Sequence, residues 1–405
     1  MPGVFLPVFY AYLCRFICRT FKNCRLPALF VMLSDVSGKR VDELFQTPIV
    51  QQTAFWSRVK NQLGASTVAV NFKSRRKRLF QDAASDDYIH SDVLVILQQI
   101  NRHDYIAYVP YGPEIEPDEE NQGRFLEEMS ECLRSFLPLN CIMIRYDLCW
   151  ESYWAKDSAN FDESGNWLGE PAINAQELRF NFNTSNWNFQ KAQFNILPSN
   201  TIFVDLRPDV QTVLKEMKPK TRYNIGLSVK RGVEVRTAGL ESIDIWYQLY
   251  RETAARNNFL LNDIRYFEAI LKARAEHTSS SAEVRLLIAE SDKIPLAAMF
   301  LIISGNRGSY LYGASSSSNR NLMATYALQW EAMKISKEHG CTEYDMFGVA
   351  PNPDTAHPLY GLYKFKVGFG GNIYHSMGCW DYPLHKEKYN QFKSAELLSQ
   401  GFHIN

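Results

Sequence analysis

Apolar and polar positions along this chain fall into one pattern that occurs twice. In the first half, Ser66 to Phe72 and Asp92 to Ile100 read as strands, separated by the basic run Lys73-Ser74-Arg75-Arg76-Lys77-Arg78. Asp104 to Val109 predicts a third strand, ending in Pro110-Tyr111-Gly112-Pro113. A helix is expected over about Gln122 to Phe136, where Phe125, Met129, Cys132 and Leu133 share one face. Cys141 to Asp147 then reads as a buried strand.

The second half runs the same way. Val284 to Glu290 and Leu296 to Ile303 predict strands around the turn Ser291-Asp292-Lys293, and Gly305-Asn306-Arg307-Gly308 has the composition of a tight hairpin. Ser309 to Gly313 is the next strand. A serine loop leads into a helix over about Met323 to Glu338, with Ala324, Ala327, Leu328, Glu331 and Ile335 on one stripe and Gly340 as its stop signal. Glu343 to Phe347 closes the unit as a strand.

Residues repeat with the pattern: Tyr108-Val109-Pro110-Tyr111-Gly112 and Tyr310-Leu311-Tyr312-Gly313 each precede a helix. Arg145-Tyr146-Asp147 and Glu343-Tyr344-Asp345 lie in the strands that follow. A meander, a helix and a closing strand are the layout of the GNAT-like acyltransferase fold, so the expected class is α/β (α+β) with two related domains. Between the halves, Trp150 to Asn195 reads as an irregular excursion with a few short strands. Thr201 to Leu206 predicts a strand, followed by a helical pair from Asp209 to Lys230 broken at Pro219. That pair carries Lys218, Lys220 and Arg222, a basic surface that is either plain solvated helix or a contact for phosphates of an RNA or a precursor.

Composition narrows the class only modestly. The 405 residues suffice for two domains, and 46% hydrophobic with 22% charged is an ordinary globular balance. Lysine plus arginine equal aspartate plus glutamate at 44 each, so any anion-binding surface must be local. The eight cysteines form no CxxC pair, which points to reduced thiols in a reducing compartment and suggests no metal site. Val4 to Cys18 is too short and too interrupted, by Pro7 and Arg15, for a membrane span of roughly 20 residues. It also lacks a signal peptide's early positive charge and cleavage site. Arg15, Arg19 and Lys22 recur opposite Leu13, Phe16, Ile17 and Phe21, which fits either an interfacial helix on an anionic inner membrane or an extension that packs nowhere.

Hydrolase motifs such as GxSxG, HExxH or a Walker loop are missing from the sequence. His357, in a Pro-rich loop, is expected to serve loop hydrogen bonding. A GNAT-like fold would hold an acyl-CoA pyrophosphate on a glycine-rich turn at a helix start. Here that turn is Ser315 to Leu322, without glycine, and its first-half counterpart around Glu114 is acidic, so CoA is not the expected donor. The densest unusual run is Asp345 to Gly371, where Lys364 and Lys366, two apart, would share a face on a strand. One such lysine among aromatics suits stabilisation of an oxyanion or a terminal phosphate.

Several motifs, QQTAFWSRVK, LPSNTIFVDL, KTRYNI, YLYGASS, EYDMFGVAP and LYGLYKFKVGFGG, occur in this order. Through them the chain resembles the Fem family of peptidoglycan interpeptide-bridge aminoacyltransferases, FemX-like members in particular, over about residues 47 to 390. The resemblance implies two tandem GNAT-like domains with the chain's end returning to the first: 34–197 plus 376–405, and 198–375, preceded by the extension 1–33. It implies transfer from aminoacyl-tRNA to an amine of the stem peptide on a lipid II or UDP-MurNAc-pentapeptide precursor, using neither metal nor CoA. Lys60 then matches a lysine that contacts nucleotide-sugar phosphates, and Tyr266 and Tyr312 match tyrosines lining the precursor cleft. Lys366 matches the lysine essential for transfer, with Phe365 beside it, and Asp147 an aspartate considered as a general base. The family's phosphate-binding arginine falls on Asn262, with Arg265 out of register, which puts the grip on a UDP moiety in question.

The expected location is the cytoplasm, at the membrane's inner face if the precursor is lipid-linked. Two other readings are an acyl-CoA-dependent N-acyltransferase on the same fold and a non-catalytic membrane-associated binding protein.

Overall fold

A computed structural model describes residues 31–398. The basic N-terminal pattern at Arg15, Arg19 and Lys22 lies outside them. Thirteen strands join in one mixed sheet: β1 (Ser34–Lys39), β2 (Ser66–Arg75), β3 (Tyr88–Gln99), β4 (Tyr105–Pro110), β5 (Cys141–Glu151), β6 (Gln190–Lys191), β7 (Asn200–Asp205), β8 (Glu234–Ala238), β9 (Glu283–Ser291), β10 (Ile294–Ser304), β11 (Arg307–Ser315), β12 (Glu343–Asp345) and β13 (Asn372–Pro383). The spatial order is β1-β2-β3-β4-β5-β13-β7-β12-β11-β10-β9-β8, with β6 on β13. The main helices are α1 (Ala54–Gln62), α2 (Glu119–Leu133), α3 (Val210–Glu216), α4 (Pro219–Lys230), α5 (Ile243–Asn257), α6 (Ile264–Lys272), α7 (Ala324–Glu338), α8 (Tyr360–Lys366) and α9 (Lys386–Leu398).

The repeat read from the sequence is a repeat of topology. In each half a meander ends in a strand that pairs parallel with the strand after the long helix: β4 with β5 around α2, and β11 with β12 around α7. A parallel pair needs a crossover connection, which these helices supply. Helix α7 stops where expected, because Gly340 adopts φ +79, a conformation that carries little penalty only for glycine. Pro219 sits in the first turn of α4, where its missing N–H is harmless, and so divides α3 from α4. The excursion after β5 holds a helix, Ile173–Asn181, and the two-residue β6 in place of several short strands.

Strand β13 joins the halves. Its first four residues pair with β7 through Asn372 to His375, and from Ser376 onward it pairs with β5. Helix α9 is tied to the first half by a buried triad, with Arg145 donating to Asp381 at 2.7 Å and to Glu396 at 2.6 Å.

Alternate residues of β10 feed opposite faces. Met299, Leu301 and Ile303 pack under α7, whereas Ala298, Phe300 and Ile302 join a second core. That second core draws on both halves: Phe55, Trp56 and Val59 of α1, and Trp246, Phe267 and Ile270 of α5 and α6. Contact between α1 and the α5–α6 pair places first-half side chains beside second-half ones.

Candidate functional site

Helix α1 carries Trp56 and Lys60 one turn apart, so both project to the same face. Thr53 caps its start, accepting from the Trp56 amide at 3.2 Å, and Lys60 lies in the last turn, where a cation complements the helix dipole. The Lys60 ammonium stands 5.6 Å from the ring centroid of Trp56 and 5.6 Å from that of Tyr266. It makes no hydrogen bond or ion pair with any described residue. Desolvation brings its pKa down to about 8. Tyr266 on α6 and Tyr312 on β11 share a hydroxyl hydrogen bond of 2.6 Å with their rings perpendicular. Burial pushes the Tyr266 hydroxyl up to about 12 and holds Tyr312 well above the ordinary tyrosine range. Three of the expected substrate-binding residues therefore meet at one place, contributed by both halves. Asn262 ends the loop before α6 and donates its backbone N–H to the Tyr250 hydroxyl at 3.5 Å.

Lys366 lies elsewhere. The strand expected at Lys364 and Lys366 is a helix, α8, followed by a 3-10 turn, so the two lysines do not share a strand face. The reason is packing at helical spacing: Phe365 and Phe369 are four apart, and both rings lie against Tyr326 of α7, at 5.0 and 5.8 Å. Lys366 is 2% exposed, and its ammonium donates to the carbonyls of Phe347 at 2.9 Å and Gly348 at 2.6 Å above the Tyr310 ring. Desolvation, opposed by the charge of Asp345, lowers its pKa to about 7. Phe347 has φ +58, strained for a side chain of its size. The Lys366 bond to its carbonyl and an N–H bond to Asp345 at 2.8 Å hold it there.

Beside this turn a cavity of about 350 Å³ opens between the halves, lined among others by Tyr111, Glu116, Arg307, Asp345, Phe347 and Tyr374. Arg307 pairs with Glu343 at 2.6 Å, and the Tyr111 hydroxyl donates to the Pro198 carbonyl at 2.6 Å. Lys366 thus supports the cavity wall through Phe347 and is not itself one of its lining residues. Asp147 is fully buried behind Tyr108, whose hydroxyl donates to it at 3.1 Å, and the Leu197 amide donates at 2.8 Å. Burial raises its pKa to about 6, and its Oδ1 finds no hydrogen-bond partner among the described residues.

Of the basic trio, Lys218 and Lys220 are exposed and form no ion pair among the described residues, whereas Arg222 donates to the carbonyls of Lys215 and Met217 and fixes the α3–α4 break. The Lys218 amide donates to the Gly368 carbonyl at 2.9 Å, which sets this basic surface against the segment carrying Lys366. His357 accepts from the Leu359 amide at 3.0 Å, the loop role expected of it. The described cysteines form no disulfide with one another.

Sequence reasoning gave no role to Trp56, Tyr111 or Phe347. Trp56 was within reach, being four residues before Lys60 on a helix. The left-handed turn at Phe347 has no signal in a sequence where Gly348 is the neighbour expected to take it.

Comparison with known proteins bears on the same elements. Residues 45–281 and 272–396 match the FemAB family. Among curated relatives, the lipid II:glycine glycyltransferase of Staphylococcus epidermidis is 26% identical over 48% of this chain, and that of Staphylococcus aureus is 24% identical over 50%. The matched stretches span 61% and 62% of those proteins, about three-fifths of their length. The solved structure of FemX superposes with a TM-score of 0.66 at 18% identity, covering 89% of this chain and all of that one. That agreement extends to the α/β architecture of two GNAT-like halves, and with a family match over most of its length the chain belongs to the FemAB family.

Proposed function

We propose that this chain moves an aminoacyl group from aminoacyl-tRNA to the stem-peptide amine of a peptidoglycan precursor in interpeptide-bridge synthesis. The observation that carries the reading is the Lys60 ammonium, partly withdrawn from water beside two rings at the meeting of the halves and without a counter-ion among the described residues. Burying an unpaired charge is unfavourable, and a bound phosphate would relieve it. The names of the staphylococcal relatives, lipid II:glycine glycyltransferases, favour a lipid-linked acceptor and glycine as the transferred residue. The missing arginine at Asn262 points the same way, since a UDP grip is weakened.

In this reading Lys60, Tyr266 and Tyr312 hold the precursor, and Lys218 and Lys220 meet the tRNA backbone. The domain division at 197/198 and 375/376 belongs to the same proposal, supported by the change of partner strand within β13. An aminoacyl ester is already activated. The acceptor nitrogen adds to the ester carbonyl, the C–O bond to the ribose breaks, and the amine's proton leaves to water or to the departing hydroxyl. The remaining tasks are orientation and stabilisation of the oxyanion. Lys366 is the candidate donor to that oxygen, with two N–H groups given to the Phe347–Gly348 turn and a third left over, and Phe365 fixes its helix; Asp147, buried behind Tyr108, positions that tyrosine and takes no proton in this reading.

An acyl-CoA donor is disfavoured by Glu252. Its carboxylate accepts from the Ser317 amide at 3.0 Å and the Ser316 hydroxyl at 3.1 Å, filling the turn where a pyrophosphate would need free N–H groups. The test is to incubate purified protein with mixed charged tRNAs and either lipid-linked or UDP-linked precursor, then weigh the product. A mass gain of whole amino-acid residues that requires charged tRNA is expected. Unchanged precursor in every combination refutes the reading.

A further inference from the structure

Between α5 and α6, residues 258–263 turn outward and present three consecutive large apolar side chains. Phe259, Leu260 and Leu261 are 41%, 80% and 45% exposed. Single exposed leucines are ordinary on a protein surface, but a run of three at a turn marks a contact surface. The base of the turn is anchored. Asn258 ends α5 with φ +53, the Phe259 ring lies 5.6 Å from Tyr250, and the Asn262 amide reaches the Tyr250 hydroxyl. Leu260 is held out at the tip, above a groove of about 700 Å³ against α5.

The charges around this tip are biased. Glu252 is bound into the serine turn, and Asp263 caps α6 while pairing with Arg265 at 3.0 Å. Arg251 lines the groove with no ion pair among the described residues. The base of the turn is linked to the Lys60 site through buried rings. Tyr250 packs on Phe267 at 4.9 Å, and Phe267 touches Tyr266 at 5.5 Å and Tyr312 at 5.4 Å.

We infer that the 258–263 turn seats on an anionic bilayer, with Leu260 and Leu261 entering the interface and Arg251 at headgroup level, so that the Lys60 site faces a membrane-borne acceptor. An apolar tip flanked by free cationic charge is the chemistry that binds such a surface. The choice of a bilayer over a protein partner rests on the proposed lipid-linked acceptor.

The test is co-sedimentation of the full chain with vesicles of phosphatidylglycerol and phosphatidylethanolamine, comparing parent, Leu260→Asp, Leu260→Trp and Arg251→Glu. Leu260→Asp is expected to lower vesicle partitioning about ten-fold, the scale of losing one buried leucine. Leu260→Trp should retain or raise it, and Arg251→Glu should weaken it on anionic vesicles but not on phosphatidylcholine. Transfer to lipid-linked precursor in vesicles should fall with Leu260→Asp, while transfer to a water-soluble short-chain analogue stays at the parent rate. Unaltered partitioning of Leu260→Asp, or a parent that ignores vesicles, overturns the inference even if transfer is robust. A parent that modifies neither acceptor yet loses vesicle binding with Leu260→Asp supports the membrane surface and removes the catalytic reading instead.

Discussion

Lys366 is buried and Lys60 partly so, and their surroundings differ in kind. Lys60 has aromatic faces on two sides and no acceptor for any of its three N–H groups among the described residues. Lys366 gives two of its three to carbonyl oxygens of a strained turn. Cation–π contacts of this type contribute about 0.5–2 kcal/mol each, less than full compensation for desolvating an ammonium. Hydrogen bonds from a charged donor contribute about 1.5–3 kcal/mol each, so Lys366 is nearly satisfied by its own chain. The difference separates two uses of one residue type: a partly buried cation with no acceptor among the described residues awaits an anion, while a buried, satisfied one shapes a wall and has a single N–H to spare.

The largest effect expected from breaking this contrast is at Lys366. Lys366→Met should cut transfer by about 10²–10³-fold with acceptor affinity retained, the scale of losing one oxyanion donor, read by single-turnover kinetics and acceptor titration. A variant with near-normal turnover would assign Lys366 to the wall alone. Lys60→Met should act in the opposite sense, raising KM for the precursor about 10- to 100-fold with kcat little changed and without lowering Tm, because it removes an unpaired charge.

Stability against pH sharpens the comparison further. The folded-state values of about 7 for Lys366 and about 8 for Lys60 lie below the ordinary 10.5. Between those values and 10.5 the unfolded chain holds more protons than the folded one, so stability rises as pH climbs through the window. Below about pH 7 both states are protonated and the penalty of burial applies in full. Lys366→Met should remove the part of the rise that starts near pH 7, and Lys60→Met only the part that starts near pH 8, as measured by denaturant unfolding across the window. Tyr312→Phe keeps the ring and loses the hydroxyl pair with Tyr266, and about a five-fold rise in KM is expected from one lost hydrogen bond. The smallest change is expected for Asp147→Asn, within about three-fold in kcat, since a side-chain carbonyl still accepts from Tyr108 and Leu197. A much larger loss would identify Asp147 as the base.

The strands and long helices were legible because their patterns are local. The run Ser66 to Phe72 lies within β2, and the break at Pro219 and the stop at Gly340 follow from the covalent character of proline and glycine. The expectation that Lys364 and Lys366 share a strand face fails because alternation over three residues is too short to separate two periods. Phe365 and Phe369 decided for helix only through Tyr326, a residue distant in sequence and in a different element.

Local pattern carries the repeated α/β layout, the ends of its long helices and the place of Lys60, Tyr266, Tyr312 and Lys366 in recognisable motifs. Which of these residues share a site follows from strand pairing and packing. Tyr310 and Tyr312 lie two apart on β11, where a regular strand would put them on one face. The register shift opposite Phe300 and Leu301 separates them, sending Tyr310 to the core under α7 with Lys366 and Tyr312 to the core shared by both halves with Tyr266. A bulge of one residue depends on pairing with another strand, and that information is not carried by the bulged strand alone.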